Sequence, residues 1–459
     1  MSLTAVERQY RSGGLREVLH LAWPLVLTNG CWTIQIFIDR VFLAHHSQTA
    51  MAATLPSVLL FWAFLNLFFH TAGYVATFVA QYSGAGRPHR IGPAVGQALY
   101  FSIGSSVLFF ALVPFVDQIV GLGGHSSELQ AEEAIFLRCL CFGALPELIK
   151  ATTFGFFNGL GQSRTVLAIS ITAMLVNAGL DYCWIGGHCG FPAWGIAGAG
   201  WATVAASSVS ALLGFTLLLR RRYRLECATD RLWQFDLALF RRLLLFGLPN
   251  GLFIAIETAA FSAFILIVGR MGQAELAASN MAFTLNMVAF LPTIGIGQAV
   301  EVLVGRHLGE NRSDLAANRT WIGFGLGWTF MVCFAAVIVF VPDIALAPFA
   351  TTENQSELSI TRVILRFIAF YSLFDSANVI FSNALRGAGD TKFVTKVMSA
   401  LPWLGMVLPS ALVLRYGYGL YWAWAAATFY ICFLALIFFA RFRHGAWKSM
   451  RVIEPEVVV

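Results

Sequence analysis

The sequence predicts an all-α polytopic membrane protein, with twelve transmembrane helices arranged as two six-helix repeats related by a pseudo-twofold axis along the membrane normal. Three observations carry this expectation. Apolar runs of membrane-spanning length recur from end to end, basic residues concentrate in alternate loops, and the chain repeats itself at a shift of 225 residues. Of the 459 residues, 58% are hydrophobic and 12% charged. Mean hydropathy is +0.72, well outside the range of a soluble domain.

A hydrocarbon core of about 30 Å needs roughly 20 apolar residues per helix. Apolar runs set against polar breaks place spans near 18–44, 51–82, 93–121, 134–159, 165–187, 195–219, 240–269, 276–305, 319–348, 362–385, 393–415 and 418–440. The first is longer than a signal-peptide core and lacks a small-x-small cleavage site, so it reads as a retained span. Pro24 and Pro249, early in spans 1 and 7, are expected to bend them. Trp23, Trp184, Trp194, Tyr421 and Trp447 sit near run ends and read as interfacial belts. Phe61, Trp62, Phe68 and Phe69 in span 2 read as lipid-facing bulk, with an aromatic substrate pocket as the alternative.

Orientation comes from the basic residues. The termini, the 220–242 stretch and every second loop hold 23 of the 30 lysines and arginines. The intervening loops, around 45–50, 122–133, 188–194, 271–275, 349–361 and 416–417, hold none and carry Glu128, Glu132, Glu275, Glu353 and Glu357. The positive-inside rule then places both termini and the 220–242 linker in the cytoplasm, with the chain crossing the cell inner (plasma) membrane. The formal charge of +6 reads as a topology signal with anionic lipid contact, not as nucleic-acid binding. The eight cysteines show no metal-ligand spacing and mostly lie in apolar runs. Only Cys183 and Cys189, near one external loop, are placed to form a disulfide. His45-His46 and the other histidines show no metal arrangement.

The repeat is ungapped over long stretches. Pro24 maps onto Pro249, Ala52-Ala53 onto Ala277-Ala278, and Val79–Arg87 onto Val304–Arg312. Phe156-Phe157-Asn158-Gly159-Leu160 maps onto Phe381-Ser382-Asn383-Ala384-Leu385. The chain therefore divides into an N-lobe (1–219), a basic cytoplasmic linker (220–242) and a C-lobe (243–459). Six spans per copy return the second copy in the orientation of the first. A cleft between the lobes, where transporters of this kind bind substrate and coupling ion, is expected.

Four acids break the apolar runs: Asp39, Asp181, Glu257 and Asp375. A charged side chain at the bilayer centre costs about 2.5–3.5 kcal/mol on insertion scales, so each should face protein or water. The repeat supplies an internal control, because the four counterparts at the 225-residue shift are Phe264, Met406, Trp32 and Lys150. The acids are half-specific features on a common frame. Asn177 lies one turn from Asp181 on the same face, and Thr203 lies about eight residues into span 6. With Asp39 these are expected to converge in the outer half of the N-lobe. In the C-lobe, Glu257 and Asp375 share a depth, with Tyr371 one turn from Asp375. Lys150 is a candidate cleft charge, with pairing to Glu147 or to Asp375 as alternatives. A low dielectric favours the protonated carboxyl, and carboxylates with amide and hydroxyl oxygens also suit a small hard cation. Either ion would compete with an organic cation for the bare carboxylates, and that competition is exchange.

These residues resemble a known family. Arg16…Trp23-Pro24 opening span 1, Ile38-Asp39 near its end, and Val176-Asn177-Ala178-Gly179-Leu180-Asp181 in span 5 are similar to multidrug and toxic compound extrusion (MATE) transporters of the NorM-like branch. Gly195-Ile196-Ala197-Gly198-Ala199-Gly200-Trp201-Ala202-Thr203 and Leu385-Arg386-Gly387-Ala388-Gly389-Asp390-Thr391 extend the likeness over residues 15–445. The resemblance implies a monomeric, cofactor-free antiporter driven by H+ or Na+ that expels organic cations and drugs. It implies an N-lobe cation site, able to take Na+, at Asp39, Asn177, Asp181 and Thr203. It implies a cation and substrate site at Glu257, Tyr371 and Asp375 in the C-lobe. Arg40 and His45-His46 depart from the small, hydroxylic and glycine residues expected after Asp39. The alternatives are a lipid or lipid-linked precursor flippase of the same architecture, and then a membrane-embedded enzyme or channel. No zinc-ligand, nucleophile–base or phosphate-loop pattern appears in the runs.

Overall fold

The structure is a computed structural model and describes residues 14–349 and 355–455. Arg8, Arg11 and Glu353 lie outside the described residues. The main helices are α1 (Gly14–His46), α2 (Gln48–Gly73, continued by Val75–Gly84), α3 (Ile91–Leu112), α4 (Ser127–Gly159), α5 (Ser163–Ile185) and α6 (Ile196–Leu218). They are followed by α7 (Leu237–Gly269), α8 (Gln273–Gly309), α9 (Ser313–Phe340), α10 (Gln355–Ala388), α11 (Thr391–Pro402) and α12 (Leu420–His444). A π-turn at Trp403–Val407 carries α11 on into Leu408–Arg415. Ser47 and Ser126 cap α2 and α4 by accepting from the Ala50 and Leu129 amides, which satisfies donors that a helix start leaves open. Pro24 and Pro249 lie inside α1 and α7, and both helices run through them.

Eleven segments among the described residues are long and apolar enough to cross a membrane. α4 is not among them, although it has 33 residues. Glu128, Glu132, Glu133, Arg138, Glu147 and Lys150 interrupt it. With α4 the count is twelve, six in each repeat.

The chain forms two compact units. The N-unit is Leu27–Gly251, and the C-unit takes the chain up to Val26 together with the part from Leu252 onward. The two cuts, after Val26 and after Gly251, are themselves 225 residues apart, inside α1 and α7. These units and the lobes 1–219 and 243–459 proposed from the sequence are different divisions, because the first half of each repeat's opening helix packs with the other repeat's remainder.

In the C-unit this exchange is held by a buried ionic network. Glu17 Oε2 accepts from Arg319 Nε (2.5 Å), and its other oxygen lies 3.5 Å from His307 Nε2. His307 Nδ1 is 2.9 Å from Glu310 Oε2. Glu17 and Arg319 are 3% and 8% exposed, so the first half of α1 is tied to α8 and α9 by charges that water scarcely reaches.

The N-unit corrects one expectation. Phe61 is buried, with its ring 5.9 Å from that of Phe109 and 6.2 Å from that of Trp62. Phe68 packs on Phe109 at 5.7 Å. Of the four aromatics expected to face lipid, Phe61 therefore lies in the interior between α2 and α3, where edge-to-face packing holds it, while Trp62, Phe68 and Phe69 are half-buried.

Candidate cation and substrate sites

The N-unit brings together the four residues singled out there. Asp39 on α1 has Asp181 and Asn177 of α5 and Thr203 of α6 as its side-chain neighbours. Asn177 and Asp181 are fully buried, four residues apart on one face of α5. Thr203 Oγ1 donates to Ala199 O (3.1 Å). Asp39 Oδ1, both oxygens of Asp181 and the side-chain amide of Asn177 are buried together. Two carboxyls, an amide and a hydroxyl are thus gathered at one buried place, a donor set with the oxygens to take a proton or a small hard cation. Arg40 is exposed and acts on Asp39 only through its charge.

At the corresponding frame positions the C-unit is sealed. Phe264, the counterpart of Asp39, is fully buried, with its ring 6.3 Å from Phe283 and 5.9 Å from Trp424. Met406, the counterpart of Asp181, is buried in the π-turn of α11. One frame carries an acid cluster in one copy and a dry aromatic plug in the other.

The C-unit has its own cluster elsewhere. Glu257 on α7 faces Asp375 on α10, and Tyr371 sits one turn before Asp375. Asp375 and Tyr371 are 7% and 3% exposed. Asn378 Nδ2 donates to Asp375 Oδ1 (3.1 Å). Sequence reasoning missed three neighbours. Tyr430 on α12 is buried within electrostatic reach of both acids, and its hydroxyl lies 3.9 Å from Met398 Sδ. Arg386 acts on Glu257 by its charge while pairing with Glu301 (3.1 Å) and lying over the Phe253 ring (5.3 Å). Asn378 was legible, being three residues past Asp375 on a helix. Tyr430 offered no local signal beyond being a polar group inside an apolar run, and Arg386, just past the end of span 10, read only as one of the basic residues that set orientation.

Lys150, at the frame position of Asp375, pairs with Glu147 on its own helix (Nζ–Oε2 2.6 Å). Ser207 of α6 donates to the same carboxylate. The Glu147 alternative is therefore the one realised within the unit. Cys183 and Cys189 face one another as free thiols. Among the described residues, no group of three or more His, Cys, Asp or Glu is arranged to hold a metal ion.

A multi-span helical frame, duplicated in sequence and burying acid clusters at different places in its two copies, defines a membrane transporter rather than an enzyme. The pattern of the MatE family matches residues 24–183 and again 249–409, two blocks whose starts differ by 225. The chain belongs to this family, that of the MATE transporters. A probable multidrug resistance protein NorM from Mesorhizobium japonicum is 28% identical over 413 residues, 88% of each chain. A multidrug resistance protein MdtK from Edwardsiella ictaluri is 27% identical over 406 residues, 87% of each chain. Among solved structures, a MOP superfamily transporter from Pyrococcus furiosus superposes with a TM-score of 0.87 at 18% identity, covering 96% of this chain and 98% of that one. A MATE transporter in complex with MaL6 does so with a TM-score of 0.86 at 18% identity and the same coverage. At that identity the structural likeness bears on the fold alone.

Proposed function

We propose that this protein is a secondary active antiporter that exports organic cations or drug-like molecules in exchange for protons or sodium. The observation that carries the reading is the Asp39–Asp181–Asn177 cluster, two carboxyls and an amide buried together in the N-unit. Its oxygens suit a proton or a small hard cation. Asp39, Asn177, Asp181 and Thr203 hold the coupling ion in the N-lobe. Glu257, Asp375 and Tyr371 hold ion or substrate in the C-lobe, with Tyr430 and Asn378 orienting the acids. An organic cation and the coupling ion neutralise the same carboxylates and so displace one another. The names of the relatives, multidrug resistance proteins NorM and MdtK, agree with this substrate class. The protein acts in the inner membrane as a monomer among lipids, with both termini in the cytoplasm, following the distribution of its arginines. A flippase for an anionic lipid headgroup would want cations at these positions. The two clusters are built on acids, and Lys150 is already neutralised by Glu147.

The test is efflux of a fluorescent organic cation from vesicles under imposed pH or sodium gradients. Wild type should export under at least one gradient. Asp39→Asn, Glu257→Gln and Asp375→Asn should each reduce the rate by about tenfold or more, the scale of losing one charge-assisted contact. Wild-type rates in all three variants would remove the mechanism.

A further inference from the structure

The 220–242 stretch, expected to be a connecting linker, is a docked strap with two unlike faces. It turns through a short helix, Arg221–Cys227, and a 3-10 turn, Thr229–Arg231, before α7 begins at Leu237. Its inner face is fixed to the N-unit. Thr229 Oγ1 donates to Leu218 O (3.1 Å), Gln97 Nε2 to Gln234 O (2.9 Å) and Tyr100 Oη to Trp233 O (2.8 Å). Gly92 and Gly96 on α3 admit the strap backbone, since a Cβ at either would collide with the carbonyl of Ala228 or Leu232. Burial pushes the Cys227 thiol up to about 12, with the Glu226 carboxylate adding to the shift. The inner face is dry.

The outer face is cationic and aromatic. Arg220, Arg221, Arg224 and Arg231 are exposed, and none of the four forms an ion pair among the described residues. Trp233 and Phe235 are 59% and 57% exposed beside them. The strap's acids do not cancel this charge: Glu226 pairs with Arg222 and Asp236 with Arg90, leaving Asp230 exposed among four arginines. The strap joins the end of α6 to the start of α7, so it lies at one end of two membrane spans, at the level of the lipid headgroups. Guanidinium groups match phosphate oxygens through their forked donors, and aromatic rings settle at the interface between headgroup and acyl chain.

We propose that the strap is a binding site for anionic phospholipid headgroups. The arginines take the phosphate while Trp233 and Phe235 seat beside the upper acyl chain. Rigid docking matters here, because arginines presented on a fixed backbone lose less freedom on binding than the same residues on a flexible linker.

The experiment follows the thermal unfolding midpoint of the purified full chain in detergent, titrated with phosphatidylglycerol, phosphatidylcholine or inorganic phosphate. Phosphatidylglycerol should raise the midpoint saturably and less so at high salt, and the other two should not. The variant Arg220→Gln/Arg221→Gln/Arg224→Gln/Arg231→Gln should need roughly 600-fold more phosphatidylglycerol, since each interfacial arginine contributes about fivefold. Should that variant fold poorly, Arg221→Gln/Arg224→Gln should still shift the titration by about twentyfold on the same basis. The control Arg443→Gln/Lys448→Gln, which removes exposed charge from the C-unit, should titrate as wild type. Strap variants that respond like wild type would overturn the proposal. So would equal loss in the control, which would mean bulk charge, or a full response to phosphate alone, which would mean a free-anion site.

Discussion

Lys150 sets a stabilising ion pair against a role in transport at a single residue. It shares a frame position with Asp375, yet it pairs with Glu147, whose carboxylate also accepts from Ser207. Removing one partner of a buried pair leaves the other charge uncompensated, at about 3–5 kcal/mol, and less here because the Lys150 side chain keeps some water contact. Lys150→Met should therefore lower the thermal unfolding midpoint. Lys150→Met/Glu147→Gln should recover most of the loss, and both variants should keep cation efflux. Loss of efflux in a well-folded double variant would place the pair in the transport path instead. Cysteine reactivity offers a second check at this scale. With its thiol pushed up to about 12 by burial, Cys227 should resist maleimide at pH 8, whereas exposed Cys189 should react; peptide mass spectrometry would tell them apart.

At the scale of elements, the strongest constraints join residues far apart in the chain, and for that reason local reading did not find them. The half-specific acids were legible because the 225-residue register compares each one with an apolar or opposite counterpart. Glu17 was not: it sits just ahead of the first apolar run, and its partners His307 and Arg319 come about 300 positions later. Arg319→Leu should destabilise the C-unit by about 3–5 kcal/mol, and Glu17→Gln/Arg319→Leu by less, as read by denaturant unfolding. The strap was hidden for a similar reason. Its arginine content signals sidedness, but the glycines that let it dock lie in α3. Gly96→Ala should cost about 1–3 kcal/mol through overpacking against the Leu232 carbonyl, measured as a lower unfolding midpoint with the strap more open to protease.

At the scale of the whole molecule, the duplicated frame and its hydropathy were readable because the bilayer imposes length, polarity and charge asymmetry on every span. The exchange of half-helices at Val26 and Gly251 was not, since nothing in composition changes there. The arginine distribution makes a topological prediction: an impermeant reagent should label a cysteine placed at Arg221 only from the cytoplasmic side, and one placed at Ser126 only from the opposite side. The central claim, that a coupling ion and an organic cation share the same carboxylates, is met most directly by equilibrium binding of a fluorescent cation to the purified protein as proton or sodium concentration rises. Affinity should fall with the ion in wild type and become insensitive to it in Asp39→Asn or Glu257→Gln. Undiminished binding at saturating ion, or the same dependence in both variants, would contradict the account.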